Sequence, residues 1–161
     1  MALTTQQLQT LKAHIDASPD LNTYPMTGDG AYAIAELMNL PSSPAFIVWK
    51  SAVSKNDVGK VFQASALAAI TAGNNDKLAN FAAWNETVYP SRADQRAFFD
   101  DVFSVAAGAT TRASLLAFWK RTAKRAEALF ATGTGSDASP ATMTFEGSIS
   151  YTDVIEARQL P

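Results

Sequence analysis

Apolar residues recur at three- and four-residue steps through most of this chain, the period of a helix with one buried face. The first stripe is Leu8, Leu11 and Ile15. It follows Thr4 and Gln7, whose T-x-x-Q spacing is typical of a capping box at a helix start. Because the same order of cap, stripe and stop returns along the chain, we predict a mainly α fold, a small bundle of about five to seven helices.

The clearest amphipathic pattern is "TRASLLAFWKRTAKRAEALFA", residues 111–131, which predicts one long helix ended by Gly133. Its apolar residues keep to helical steps: Leu115, Leu116, Trp119, Ala123, Ala126 and Phe130. Four cations are expected on the opposite side of this helix: Lys120, Arg121, Lys124 and Arg125. We expect this basic face to meet negative charge, either DNA or the acids of a neighbouring subunit; the alternative is that it is only solvated.

Two stretches in the middle of the chain are less clear. "FIVWKSAV" fits either a helix or a buried strand, and we favour a helix. "QASALAAITAGNN" predicts one alanine-rich helix that ends at Gly73, and Ser54 is a candidate cap for the helix before it. The three tryptophans, Trp49, Trp84 and Trp119, are expected to anchor the core.

The pattern changes in residues 133–161, which we call the C-terminal segment. The apolar residues of "TMTFEGSISY" stand on odd numbers, Met143, Phe145, Ile149 and Tyr151, which predicts a short strand or hairpin with one apolar face. Thr152 then offers a cap for a short terminal helix, and "GTGSDASP" reads as a flexible connector. We therefore predict a helical body over 1–132 and an extended arm over 133–161.

The arm has two possible destinations. Its apolar stripe needs a surface to cover it, because a lone hairpin is only marginally stable in water. Either the segment folds back on its own helical body, or Met143, Phe145, Ile149 and Tyr151 dock on an adjacent subunit. The second possibility makes these four residues candidate partner-binding residues.

Composition bounds the class of protein. The chain has 161 residues, 47% hydrophobic and 17% charged, which fits a globular domain. It contains no cysteine, so disulfides, thiolate metal sites and a cysteine nucleophile are excluded. The first residues lack the pattern of a signal peptide, and no apolar run approaches the roughly 20 residues that span a bilayer. We expect a soluble protein made in the cytoplasm, with no membrane partner.

The net charge of −2 conceals an uneven distribution. Residues 1–110 hold seven Lys/Arg and ten Asp/Glu, a net −3. Residues 111–132 hold five basic residues and one acid, a net +4, and residues 133–161 hold one Arg and four acids, a net −3. The positive block thus immediately precedes the acidic C-terminal segment.

The sequence shows no catalytic, metal or cofactor signature. His14 is the only histidine, and acid–base chemistry needs a partner that orients such a residue. Asp100 and Asp101 are adjacent, so on a helix they would not face each other as a carboxylate pair does. "GTGS" follows a predicted helix and lacks a P-loop lysine, so it is not a phosphate loop. We expect a protein that is not an enzyme and carries no cofactor or metal.

Several strings resemble a family of small tailed-bacteriophage proteins. They are "LKAHIDASPDLN", "AIAELMNLPSSPAFIVWKSAV", "GATTRASLLAFWKRTAKRAEALFATGTGS" and the C-terminal "ATGTGSDASPATMTFEGSISYTDVIEARQLP". The resemblance covers both ends of the chain, whereas residues 54–90 diverge. It implies a phage origin and a component of the virion, by analogy with the helical head–tail adaptors that ring the portal.

The sequence therefore leaves two hypotheses of different class. The first is a structural neck protein, a head–tail adaptor or connector that forms a homo-oligomeric ring, docks on the portal or a neighbouring ring, and can touch packaged DNA. The second is a phage interaction protein outside the virion, such as an assembly chaperone or a binder of a host factor.

Overall fold

The structure is a computed structural model that describes residues 3–161. Over this range it has nine α-helices and four short β-strands, so the mainly α fold class is confirmed. The helices are α1 Thr5–Ala17, α2 Gly28–Met38, α3 Lys55–Gly59, α4 Ala64–Ala69, α5 Ala72–Trp84, α6 Ala93–Val102, α7 Ala109–Phe118, α8 Arg125–Phe130 and α9 Tyr151–Gln159. The strands are β1 Ile47–Trp49, β2 Val53–Ser54, β3 Thr87–Val88 and β4 Lys120–Thr122.

The count of helices exceeds the expected five to seven; one predicted helix boundary is shifted, and one predicted helix is divided in two. The alanine-rich stretch ends as α4 at Ala69, and α5 begins again at Ala72, so Gly73 starts a helix rather than ending one. The long helix expected over 111–131 is divided into α7 and α8, with β4 between them.

The chain forms two compact units rather than a body and an arm. The first unit runs up to Val48 and resumes with Thr122–Pro161, and the second unit is the intervening Trp49–Arg121. The division expected at 132/133 from the glycine-rich connector is therefore not a boundary between compact units. The glycine-rich composition after residue 132 predicted a linker. Long-range contacts nevertheless place the residues before and after this stretch in the same compact unit.

The first unit is built on α1, α2, α8 and α9, whose inward faces share one hydrophobic core. The capping box that opens α1 is present: Gln7 N donates to Thr4 Oγ1 at 3.3 Å, and Thr4 N donates to Gln7 Oε1 at 2.9 Å. The stripe predicted for this helix is also correct, because Leu11 and Ile15 are fully buried. They lie in the same core as Ile34 and Met38 of α2 and Val154 and Ala157 of α9.

The second unit holds its own aromatic core, formed by Trp49, Phe99, Phe103, Trp119 and smaller residues. Strands β2 and β3 pair antiparallel, with Val53 opposite Val88. The predicted cap at Ser54 is confirmed, since its hydroxyl accepts a hydrogen bond from Asp57 N at 3.1 Å.

"FIVWKSAV" forms β1 and β2, so the preference for a helix there was wrong. Strand β1 is hydrogen-bonded to distant backbone: Ile47 N donates to Gly135 O at 2.7 Å, and Ala141 N donates to Ile47 O at 2.9 Å. Strand β1 also neighbours β4 in a two-stranded sheet. These partners lie far away in sequence, and the local pattern could not indicate them.

The single helix predicted over 111–131 does not form. Its apolar residues belong to three different hydrophobic clusters. Trp119 caps α7 and belongs to the core of the second unit. Ala123 packs with Val48 and Ala141 in a small cluster, and only Ala126 and Phe130 reach the core of the first unit. The apolar residues thus keep helical spacing in the sequence across the break between α7 and α8, where the backbone forms strand β4.

Candidate interaction surfaces

The four apolar residues predicted to bind a partner are divided between core and surface. Phe145 and Ile149 are buried in the core of the first unit, and the Phe145 ring meets Phe130 edge-on at 5.4 Å. Met143 is half-buried against the Val48–Ala123–Ala141 cluster. Tyr151, the first residue of α9, is about half exposed.

The partner-docking interpretation of Phe145 and Ile149 is therefore corrected: their own chain already buries them. The alternating segment forms no strand of its own, and its β-structure consists of isolated bridges such as Thr132 with Thr142. The apolar residues stand on odd numbers because this part of the chain is extended and every second side chain faces the core. The terminal helix is present, but its cap is Ser150 rather than Thr152.

A buried carboxylate fixes this segment to the start of α8. Glu127 is 2% exposed, and its oxygens accept hydrogen bonds from Lys124 N at 2.9 Å and Gly147 N at 3.0 Å. Gly147 has a φ of +133°, a conformation that a side chain would strain. A buried carboxylate needs such donors. Glu127 is accordingly a structural anchor of the fold.

The four cations predicted to share a helical face do not share one. Lys120 and Arg121 lie in β4, while Lys124 caps α8 and Arg125 begins it. Arg125 is ion-paired with Asp20 at 2.8 Å, and Lys124 Nζ donates to Ser148 Oγ at 2.7 Å. The expected face required a continuous helix from 111 to 131, and the break removes it.

Arg125 also affects the pKa values of the single histidine and of a neighbouring carboxyl group. Its hydrogen bond holds the pKa of Asp20 below the usual value for a carboxyl. The pKa of His14, on α1, is lowered first by partial burial and then by the positive charge of Arg125, while Asp20 opposes the shift. This group of three joins α1, the loop after it and α8, so it is an electrostatic contact within the first unit.

The adjacent aspartates Asp100 and Asp101 lie in the last turn of α6. Asp101 is ion-paired with Lys77 at 2.8 Å, and its backbone carbonyl accepts a hydrogen bond from Asn74 Nδ2 at 3.2 Å. Across residues 3–161, no three His, Cys, Asp or Glu side chains are grouped as metal ligands. None of the described helices is long and apolar enough to cross a membrane.

The most exposed large apolar side chain in the described part of the chain is Trp84, which is 87% accessible. The expectation that all three tryptophans anchor the core is thus wrong for this one, while Trp49 and Trp119 are buried. Leu78 and Phe81 lie on the side of α5 that packs against the second unit's core. Side chains three residues apart on a helix point in directions that differ by about 60°. Trp84, three residues after Phe81, therefore points away from that side and into water.

An apolar cavity of about 430 Å³ lies between α3 and α5 of the second unit, and Trp84 is not among the residues that line it. Its apolar lining includes Val58, Phe62, Leu78, Phe81, Val88 and Phe99. Phe81 meets Phe99 edge-on at 5.4 Å, and Phe62 lies 6.3 Å from Phe99, so three phenyl rings form its walls.

Sequence reasoning missed this cavity, although one signal was present. Helix α5 carries few large apolar residues, and none of its thirteen residues is fully buried. A helix with so thin an apolar stripe cannot fill the space beneath it. Lys55 is one of the lining residues, and its Nζ donates to Glu86 Oε1 at 2.7 Å and to the carbonyl of Ala82 at 3.1 Å.

Comparison of the chain with known proteins finds no matching protein family, no matching curated protein and no matching solved structure.

Proposed function

We propose that this protein is a structural component of a tailed-phage virion, a head–tail adaptor or connector of the neck. In this role it forms a homo-oligomeric assembly and docks on the portal or on a neighbouring ring of neck or tail subunits. It acts through binding surfaces rather than catalysis and uses no cofactor. The resemblance of both chain ends to small tailed-phage proteins supports this assignment.

The structural observation that supports an assembly role is the exposure of Trp84, whose side chain is 87% accessible. A side chain of this size gains free energy when a partner removes it from water. Other large apolar side chains are exposed as well: Met26, Tyr32, Leu40, Leu67, Tyr89 and Tyr151. A neck protein must contact several neighbours at once, and these residues offer contacts.

The structure changes which part of the protein would dock. The C-terminal segment was the expected docking arm, but its Phe145 and Ile149 are core residues of the first unit. Docking is therefore assigned to the exposed side chains of folded units. A neck built of such units would be held by side-chain contacts between preformed surfaces.

Electron microscopy of a lysate from the phage that lacks this gene tests the proposal. The expected result is DNA-filled heads and separate tails that do not join, and a plasmid copy of the gene should restore complete particles. Complete particles formed without the gene would refute a neck role. A block before heads are filled would instead favour the assembly-chaperone alternative.

A further inference from the structure

Helix α5 is the least buried of the three longest helices in the second unit. None of its thirteen residues is fully buried, whereas α6 and α7 each bury side chains in the core, Phe99 and Leu115 among them. The apolar contacts of α5 with this core come from Leu78 and Phe81, which are only half-buried. Little apolar burial therefore opposes the separation of α5 from the rest of the unit.

The apolar cavity of the second unit lies against the inner side of this helix. Helix α5 supplies five of the residues that line the cavity: Asn75, Leu78, Ala79, Phe81 and Ala82. A closely packed protein interior has few spaces larger than a water molecule, and side chains that border a space lose the dispersion contacts that neighbours would give. The cavity thus removes contacts from the one side of α5 that faces the core.

One cation ties the C-terminal end of α5 to the start of α3. Lys55 Nζ donates to the carbonyl of Ala82 at 3.1 Å and to Glu86 Oε1 at 2.7 Å. Ala82 lies in the last turn of α5, where carbonyl groups have no partner within the helix and carry a partial negative charge. A hydrogen bond from an ammonium group to such a carbonyl stabilises the closed position of this end.

The N-terminal end of α5 is fixed to the end of α6 by a side-chain amide. Asn74 Nδ2 donates to the carbonyl of Asp101 at 3.2 Å and to that of Val102 at 3.0 Å. The ion pair between Lys77 and Asp101 adds little, because both side chains are more than half exposed. Polar contacts at its two ends, rather than a buried face, therefore hold α5 in place.

We propose that α5 is a lid over the aromatic cavity of the second unit, hinged at Asn74 and held shut by Lys55, and that it opens as one unit while α6 and α7 stay folded. Opening breaks the Lys55 contact, moves the apolar side of α5 off the core and admits water to the rings of Phe62 and Phe99. The lid thereby controls when this aromatic surface is accessible. The inference concerns the second unit alone and does not rest on a virion role.

Native-state hydrogen exchange of the full chain at increasing urea concentration, resolved by residue with NMR, tests the proposal. The amides of residues 77–84 should exchange through one shared opening, about tenfold or more faster than those of α6 and α7 after correction for intrinsic rates. Exchange no faster than in α6 and α7 would overturn the proposal. So would rates that rise steadily toward the ends of α5, because the helix would then fray rather than open as a unit.

Lys55→Met tests the contact that holds the lid shut, because it keeps the aliphatic stem and removes the cation. Glu86 is 83% exposed and stays hydrated when it loses this partner. Exchange in α5 should accelerate roughly tenfold, with α6 and α7 unchanged, since a hydrogen bond from a charged group is lost only in the closed state. Lys60→Met is the matched control: Lys60 is ion-paired with Asp57, so its loss should leave α5 unchanged. Equal effects of the two variants on α5 would contradict a lid held by Lys55.

Filling the cavity from the lid itself should have the opposite effect. Ala82→Leu adds three carbon atoms at a residue that lines the cavity, and about 430 Å³ gives them room. Ala83→Leu is the matched control, because it makes the same change one residue further along α5, at an exposed position that does not line the cavity. Exchange in α5 should slow by about tenfold in Ala82→Leu relative to Ala83→Leu, since the added carbons leave water only when the lid is closed. Identical exchange in the two leucine variants would overturn the proposal that α5 closes over this cavity.

Discussion

Asn39 and Ile149 are joined by two reciprocal hydrogen bonds. Asn39 Nδ2 donates to the carbonyl of Ile149 at 2.8 Å, and Ile149 N donates to Asn39 Oδ1 at 3.0 Å. Asn39 is the C-terminal cap of α2, and Ile149 immediately precedes Ser150, the cap of α9. One side chain thus holds the entry to the last helix against the end of the second, 110 residues away in sequence.

Replacing Asn39 by alanine should destabilise the first unit by about 1–3 kcal/mol, because both backbone groups of Ile149 lose their partner. Asn22→Ala is the control: its side chain makes one exposed hydrogen bond, to the carbonyl of Asp16 at 3.3 Å, and its loss should matter less. Urea unfolding followed by far-UV circular dichroism measures the difference. Equal stabilities of the two variants would contradict a structural role for the Asn39–Ile149 pair.

The apolar residues of the C-terminal segment should fall into two classes. Phe145→Ala removes a core ring that packs against Phe130, and should destabilise the first unit by about 3–5 kcal/mol. Tyr151→Ala, at an exposed position, should change the free energy of unfolding by no more than about 0.5 kcal/mol. If Phe145→Ala were as stable as the wild type, the ring would be available for a partner and its assignment to the core would fail.

Ending the chain after residue 132 should prevent the first unit from folding. The deletion removes α9, which supplies Val154 and Ala157 to the same core as α1 and α2. It also removes Gly147, the donor to buried Glu127. Hydrogen exchange should show α1 and α2 unprotected in the truncated chain. Native protection of both helices without residues 133–161 would restore the interpretation of this segment as a separate arm.

The depressed pKa of His14 predicts how stability varies with pH. Its ordinary value is 6.5, and the folded value is lower because burial and Arg125 disfavour the charged ring. Well above 6.5 the ring is neutral in both states and has no effect. As the pH falls below that value, the unfolded chain binds a proton first, so the free energy of unfolding decreases until the folded pKa is reached.

Replacing His14 by glutamine should remove this decrease. The measurement is urea unfolding of both proteins between about pH 7.5 and 5, a range in which Asp20 stays ionised in both states. The wild type should lose stability relative to the variant as the pH falls. Parallel stability curves for the two proteins would show that burial of His14 does not disfavour its charged form.

Residues close together in the sequence predicted correctly where helices begin. They did not predict where the chain leaves one helix and forms a strand. The Thr4–Gln7 box and the Ser54 cap depend on residues three apart, so the sequence displays them directly. The break after Trp119 depends on backbone pairing with a distant strand, and the apolar spacing continues across it unchanged. Periodicity shows which residues are buried, but not which core buries them.

The same limit applies to the candidate surfaces. Phe145 and Ile149 were identified as residues that need cover, but only the folded chain shows that α1, α2 and α8 supply it. Trp84 was assigned to the core on residue type, whereas its position at the end of α5 turns it to solvent. The apolar cavity is a space between α3 and α5, and a sequence pattern does not reveal such a space.

Quantitative mass spectrometry of purified phage particles tests the proposed virion role most directly. The particles should be separated from free protein on a density gradient, and the copy number should be measured relative to the portal protein. We predict a fixed, integral ratio to the portal in tailed particles, unchanged by further purification. A protein abundant in the lysate but absent from purified particles would contradict the proposal and favour a phage interaction protein that acts outside the virion.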